Sequence, residues 1–162
     1  MYDDSVKLIE MPEHNSISVC VYIEQDGIFE LGERINARFE EAYMNGYNWD
    51  ALITFYVNSV DSELMKVVGT DPEAGMFAAY MSEHNSKNVQ LMKKFEQHVR
   101  DLLADEVVLM QFIEDNFEAF NFKSPISPFF EEKYSYECYL LLSTLINKSN
   151  YACTIQCRQA SS

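Results

Sequence analysis

Between Ser16 and Glu24 the apolar residues fall on every second position: Ile17, Val19, Val21 and Ile23 alternate with Ser16, Ser18, Cys20, Tyr22 and Glu24. A half-buried extended chain gives that period, because successive side chains of a strand point to opposite sides. Such a strand needs a neighbour for its backbone groups. Residues 5–11 supply one across the turn Pro12-Glu13-His14-Asn15, so the chain is predicted to open with a β-hairpin. Asp26-Gly27 reads as the end of the second strand.

From Leu31 the period lengthens. Leu31, Ile35, Phe39 and Tyr43 recur at helical spacing, with Glu33, Arg34, Arg38, Glu40 and Glu41 on the other faces. Asn45-Gly46 reads as the stop of that helix. Asn48 is then expected to cap a second helix beginning at Trp49, with Asp50 in its first turn to complement the helix dipole. Asp61 is placed to cap a short successor reaching Val68. The turn-forming run Gly69-Thr70-Asp71-Pro72-Glu73-Ala74-Gly75 is read as a loop. The following segment Met76-Phe77-Ala78-Ala79-Tyr80-Met81 is predicted to be a strand that joins the hairpin, although its two alanines leave a helix open. Met92, Phe95, Val99, Leu102 and Leu103 make one helical stripe. Asp105 caps a last helix presenting Leu109, Phe112, Ile113 and Phe117. The fold class expected is α+β: a small antiparallel sheet, the β-hairpin plus a later strand, packed against about five helices.

A chain of 162 residues, 48% of them apolar, has the material for one domain core. Its net charge of −14 opposes nucleic-acid backbones and anionic lipids and favours cationic partners, so neither nucleic acid nor membrane is expected to bind. Solubility alone is a sufficient use for such a charge. The charge is also uneven. Residues 1–118 hold 8 Lys/Arg against 23 Asp/Glu, whereas residues 119–162 hold 4 against 3. This divides the chain into an acidic α+β body, 1–118, and a C-terminal extension of different composition, 119–162. Ser124-Pro125-Ile126-Ser127-Pro128 breaks regular structure near the join, and Tyr139–Ile146 is an uncharged apolar run that could dock. That run is far shorter than the about 20 residues a bilayer span takes. Met1-Tyr2-Asp3-Asp4 is acidic where a signal peptide is basic, and cysteines 20, 138, 153 and 157 lack a secreted-scaffold spacing. The location expected is the cytoplasm, with reduced thiols.

Chemistry is hard to place on this chain. The 5 glycines, at 27, 32, 46, 69 and 75, never form a phosphate-binding pattern, and no G-x-S-x-G elbow exists. Histidines 14, 84 and 98 show no metal-ligand spacing and read as solvated surface residues; Cys138, Cys153 and Cys157 lack a fourth ligand nearby. The carboxylate pairs Glu40-Glu41, Asp105-Glu106 and Glu114-Asp115 are adjacent on helices and so diverge by about 100°. No catalytic residue, metal or cofactor is therefore expected. Two segments suit binding better. Tyr43 to Asp50 crowds Tyr47, Trp49 and Asp50 at a helix–helix corner, and aromatic residues anchor interfaces; Trp49 is equally at home in a core. Asp71 and Glu73 flank Pro72 ahead of a strand, where they suit cationic groups or a simple turn cap.

The run Asn45-Gly46-Tyr47-Asn48-Trp49-Asp50-Ala51-Leu52-Ile53 and the later Asp71-Pro72-Glu73-Ala74-Gly75-Met76-Phe77 together resemble the Immunity protein 51 family over roughly residues 5–117. The resemblance implies an antidote encoded beside a toxin gene in a bacterial polymorphic-toxin system, acting by binding and blocking its cognate toxin domain. A toxin with a basic surface would suit the acidic body. The tail lies outside the resemblance. Two other classes stay open on the residues alone: a small enzyme with an unrecognised carboxylate site, metal-assisted or not, and a regulatory or scaffold domain with another partner.

Overall fold

A computed structural model of the chain describes residues 4–40, 42–120 and 122. The hairpin forms where the alternation places it. Strand β1 (Val6–Met11) runs antiparallel to β2 (Ser16–Tyr22), with Val6 opposite Val21 and Leu8 opposite Val19. Between them Pro12–His14 makes one 3-10 turn, and Asn15 closes it in the left-handed region at φ 51°, a conformation Asn tolerates better than most residues. Ile17, Val19, Val21 and Ile23 are buried, so the period of two does mark the core face.

The first helix, α1 (Asp26–Arg38), starts earlier than its period suggests. Asp26-Gly27 is its first turn and does not end a strand. Its buried stripe is Ile28, Leu31, Gly32 and Ile35, and the helix closes at Phe39, well short of Asn45. Asn45 and Gly46 therefore stop nothing. Asn45, extended at φ −98° and ψ 177°, is the N-cap of α2 (Gly46–Val60), and its side-chain oxygen accepts from the Asn48 N–H at 3.0 Å. Asn48 is inside the helix, fully buried, and its side chain donates to the Tyr43 carbonyl at 2.6 Å. Asparagine serves at either end of a helix, so residue type alone could not decide between stop and start.

Asp61 caps α3 (Ser62–Met65), which ends before Val68. Two strands follow: β3 (Gly69–Thr70), inside a run that reads as loop, and β4 (Met76–Met81). Gly69 pairs with Tyr80, whose ring occupies the space a Cβ would need, its nearest carbon 2.8 Å from that position. The sheet has four strands in the order β1-β2-β4-β3, every pair antiparallel. Helix α4 (Ser86–Ala104) lies against β1, β2 and β4 and buries Met92, Phe95, Val99, Leu102 and Leu103 on them. Helix α5 (Glu106–Asn116) follows, capped by Asp105 through the Val107 and Val108 N–H groups at 2.9 and 3.2 Å. Five helices on a small antiparallel sheet make the α+β fold that the pattern predicts.

Beyond α5, a 3-10 turn (Phe117–Ala119) leads to Phe120, which is buried. Its ring stands 5.0 Å from Phe55 and 5.0 Å from Phe122, while Phe39 stacks on Phe117 at 5.4 Å. These rings close the base of the core between α2 and α5. The Ser124–Pro128 breaker, the 139–146 run and cysteines 138, 153 and 157 lie outside the described residues.

Candidate partner-binding corner

Three connections meet where β2 ends and β4 begins. The β2–α1 turn is tied to the β3–β4 loop by the Ile23 N–H donating to the Gly75 carbonyl at 3.1 Å. The start of α2 is tied to the same loop by the Gly46 N–H donating to the Ala74 carbonyl at 2.9 Å. The approach is as close as backbones allow. A Cβ on Gly46 would stand 1.8 Å from the Glu73 carbonyl oxygen and 2.5 Å from that of Met76. Gly75 faces Glu24 in the same way, with Glu24 Oε1 3.0 Å from where its Cβ would be. The loop itself is held by reciprocal Glu73–Met76 backbone bonds of 2.8 and 3.3 Å and by the Asp71 N–H donating to Ala78 O at 2.8 Å.

The segments 45–53 and 71–77, well separated in the chain, thus touch through their backbones. Trp49 sits beneath the junction, fully buried, with its indole nitrogen beside Gly32 of α1. Its ring is core and has no surface to offer a partner. Tyr47 is 38% exposed and Tyr43, one residue before the hydrogen-bonded Met44–Asn36 pair, is 48% exposed. Asp71 and Glu73 are exposed and Asp50 is half-buried. Sequence reasoning passed over Glu24, whose place beside Gly75 comes from the meeting of two distant turns. Charge composition sharpens the picture: residues 23–25, 39–45 and 71–75 hold five carboxylates and no Lys, Arg or His. The corner is acidic, aromatic at its rim, and rigid at its centre.

Several other titratable groups are engaged in structure. Glu106 takes both Arg34 nitrogens at 2.7 and 2.8 Å, and these hydrogen bonds hold its carboxyl below the usual range. Glu114 pairs with Arg38, and Asp115 accepts from Gln111 at 2.8 Å. Two histidines depart from the solvated reading. His84 is half-buried against Glu10 at 2.9 Å, and His98 is half-buried 3.5 Å from Asp61; His14 alone of the three is exposed. His84 lies in the connection before α4, whereas His98 lies inside α4 and faces the Asp61 cap of α3. Burial pushes the Cys20 thiol above its ordinary pKa, which disfavours the thiolate form. Among the described residues no group of three or more His, Cys, Asp or Glu could hold a metal ion, and no helix is long and apolar enough to cross a membrane.

Comparison with known proteins gives one result of substance: the family model for Immunity protein 51 matches residues 7–117. No curated protein and no solved structure matches the chain significantly.

Proposed function

The chain belongs to the Immunity protein 51 family, and from that premise we propose that it neutralises a cognate toxin domain by stoichiometric binding, in the cytoplasm of a bacterium carrying a polymorphic-toxin locus. The family match is the observation that carries this reading. The acidic corner supports it and supplies the contact: exposed Tyr43 and Tyr47 beside Glu24, Asp71 and Glu73 suit a toxin with a basic surface. Blocking needs no chemistry from the inhibitor, and the paired carboxylates of α5 are occupied by Arg34, Arg38 and Gln111. Trp49 acts from below by fixing the corner; Asp50 follows it in α2, beyond a first turn that holds no acidic residue, because the helix begins at Gly46 and not at Trp49.

Co-expression with the product of the adjacent toxin gene tests the reading. A 1:1 complex and survival of toxin-expressing cells are expected. Replacing Tyr47 with Ala and Glu73 with Lys should weaken the complex at least about thirtyfold, the scale of a lost interface anchor. If no complex forms and the cells die, the proposal is wrong.

A further inference from the structure

The sheet has a second face. Helices α2 and α4 cover the side that carries Val19, Val21, Phe77 and Ala79. On the other side, the alternation turns Lys7 and Ile9 of β1, Tyr22 of β2, and Met76 and Tyr80 of β4 outward. Lys7 and Tyr80 are exposed, Tyr80 to 44%, and Ile9, Tyr22 and Met76 are half-buried. Across the middle of this face runs one row of opposed residues: Lys7 opposite Cys20, Cys20 opposite Ala78, and Ala78 joined to Asp71 by the 2.8 Å backbone bond. A cation stands at one edge of the row and an anion at the other, with two small uncharged side chains between. Glu73, opposite Met76 in the row of Tyr22, is the further charge on this side among the described residues.

We propose that this face binds a second copy of the chain when no toxin is bound; because both contacts use Asp71, the dimer and the toxin complex exclude one another. A two-fold axis parallel to the strands, between β2 and β4, lays β1 of one copy over β3 of the other and β2 over β4. Lys7 of each copy then meets Asp71 of its mate, giving two ion pairs at the rim. In the row of Tyr22, each tyrosine meets the mate's Met76. In the row of Ile9, that side chain meets the place where Gly69 has none and the Tyr80 ring fills the gap. The alternative axis, across the strands, would set Lys7 against Lys7 and is disfavoured. Face-to-face sheets pack in this aligned manner. The dimer is a weak one. Four strands spaced about 4.8 Å and about 20 Å long cannot bury the roughly 1,200 Å² of a stable interface.

Sedimentation equilibrium of the full chain with reductant present, over a range reaching about 1 mM, tests this. A reversible monomer–dimer equilibrium is expected. Lys7→Asp and Asp71→Lys should each weaken it about tenfold, and the reciprocal exchange of both should restore it. Asp71→Lys is the discriminating variant, because it makes the chain less acidic and would strengthen any association limited by overall repulsion. Ile9→Lys, which also makes the chain less acidic, should likewise weaken the dimer, and thermal melts of each variant establish that the fold survives. A chain that stays monomeric throughout overturns the proposal, including one whose sheet face is occupied only after a foreign protein is added. So does a dimer that the reciprocal exchange fails to restore.

Discussion

Gly46 is the residue on which two distant segments close, and its lack of a side chain is required by geometry. Gly46→Ala is expected to lower stability by about 2–3 kcal/mol in urea unfolding, because the added methyl must displace the Glu73 and Met76 carbonyls, which are backbone. Asn45→Ala removes an N-cap and should cost about 1 kcal/mol. An Asn45→Ala variant as stable as the parent would show that Asn45 does not cap α2. Asp61 makes a pH prediction. The hydrogen bond from Lys94 at 2.5 Å does most to hold its carboxyl below the usual range; burial opposes this and the Leu64 N–H adds to it. The unfolded chain therefore binds the proton more readily. The stabilisation is present above the ordinary carboxylate pKa and disappears as pH falls through the folded value. Asp61→Asn should flatten the acid limb of a stability–pH curve below about pH 5. Identical limbs in variant and parent would exclude Asp61 as its source.

At the scale of elements, the end of the body is the informative place. The charge change falls between residues 118 and 119, yet Phe120 is buried and packs on Phe55 and Phe112. A chain ending at residue 118 should still fold, because the sheet and α4 are complete. It should be less stable than one ending at residue 122 by about 2 kcal/mol, somewhat under the usual cost of removing a core phenylalanine because chain ends fray. Equal unfolding midpoints would mean that the rings add nothing. Charge composition could not reveal this, since a phenylalanine carries no charge and one apolar residue has no period. The strand β3 escaped for a related reason: two residues, one of them glycine, have no alternation to read. Their pairing depends on Tyr80, eleven residues later.

For the whole molecule, charge sets the kinetics of partner binding more than its strength. The body's excess of carboxylates should steer a basic toxin domain, so the association rate should fall by about an order of magnitude between ~50 and ~500 mM salt, with a smaller change in dissociation rate. Stopped-flow mixing at several salt concentrations measures it. A salt-independent rate would place the contact away from the acidic corner.

Periodicity by itself determined the hairpin and the stripe of α4, and residue type the caps at Asp61 and Asp105, because each is a local pattern whose physical cause lies within a few residues; Met76–Met81, whose alanines leave strand and helix open, became β4 by pairing with β2. Aromatic and turn-forming residues marked both segments that meet at the corner. Their meeting was decided only in three dimensions, by two backbone hydrogen bonds from Ile23 and Gly46 into one loop. The same contact settled whether Asn45-Gly46 ends a helix or begins one, buried Trp49 beneath the surface, and brought Glu24 beside Gly75. None of these has a local signature: each depends on which distant carbonyl a glycine N–H can reach, and only the packed chain supplies that carbonyl.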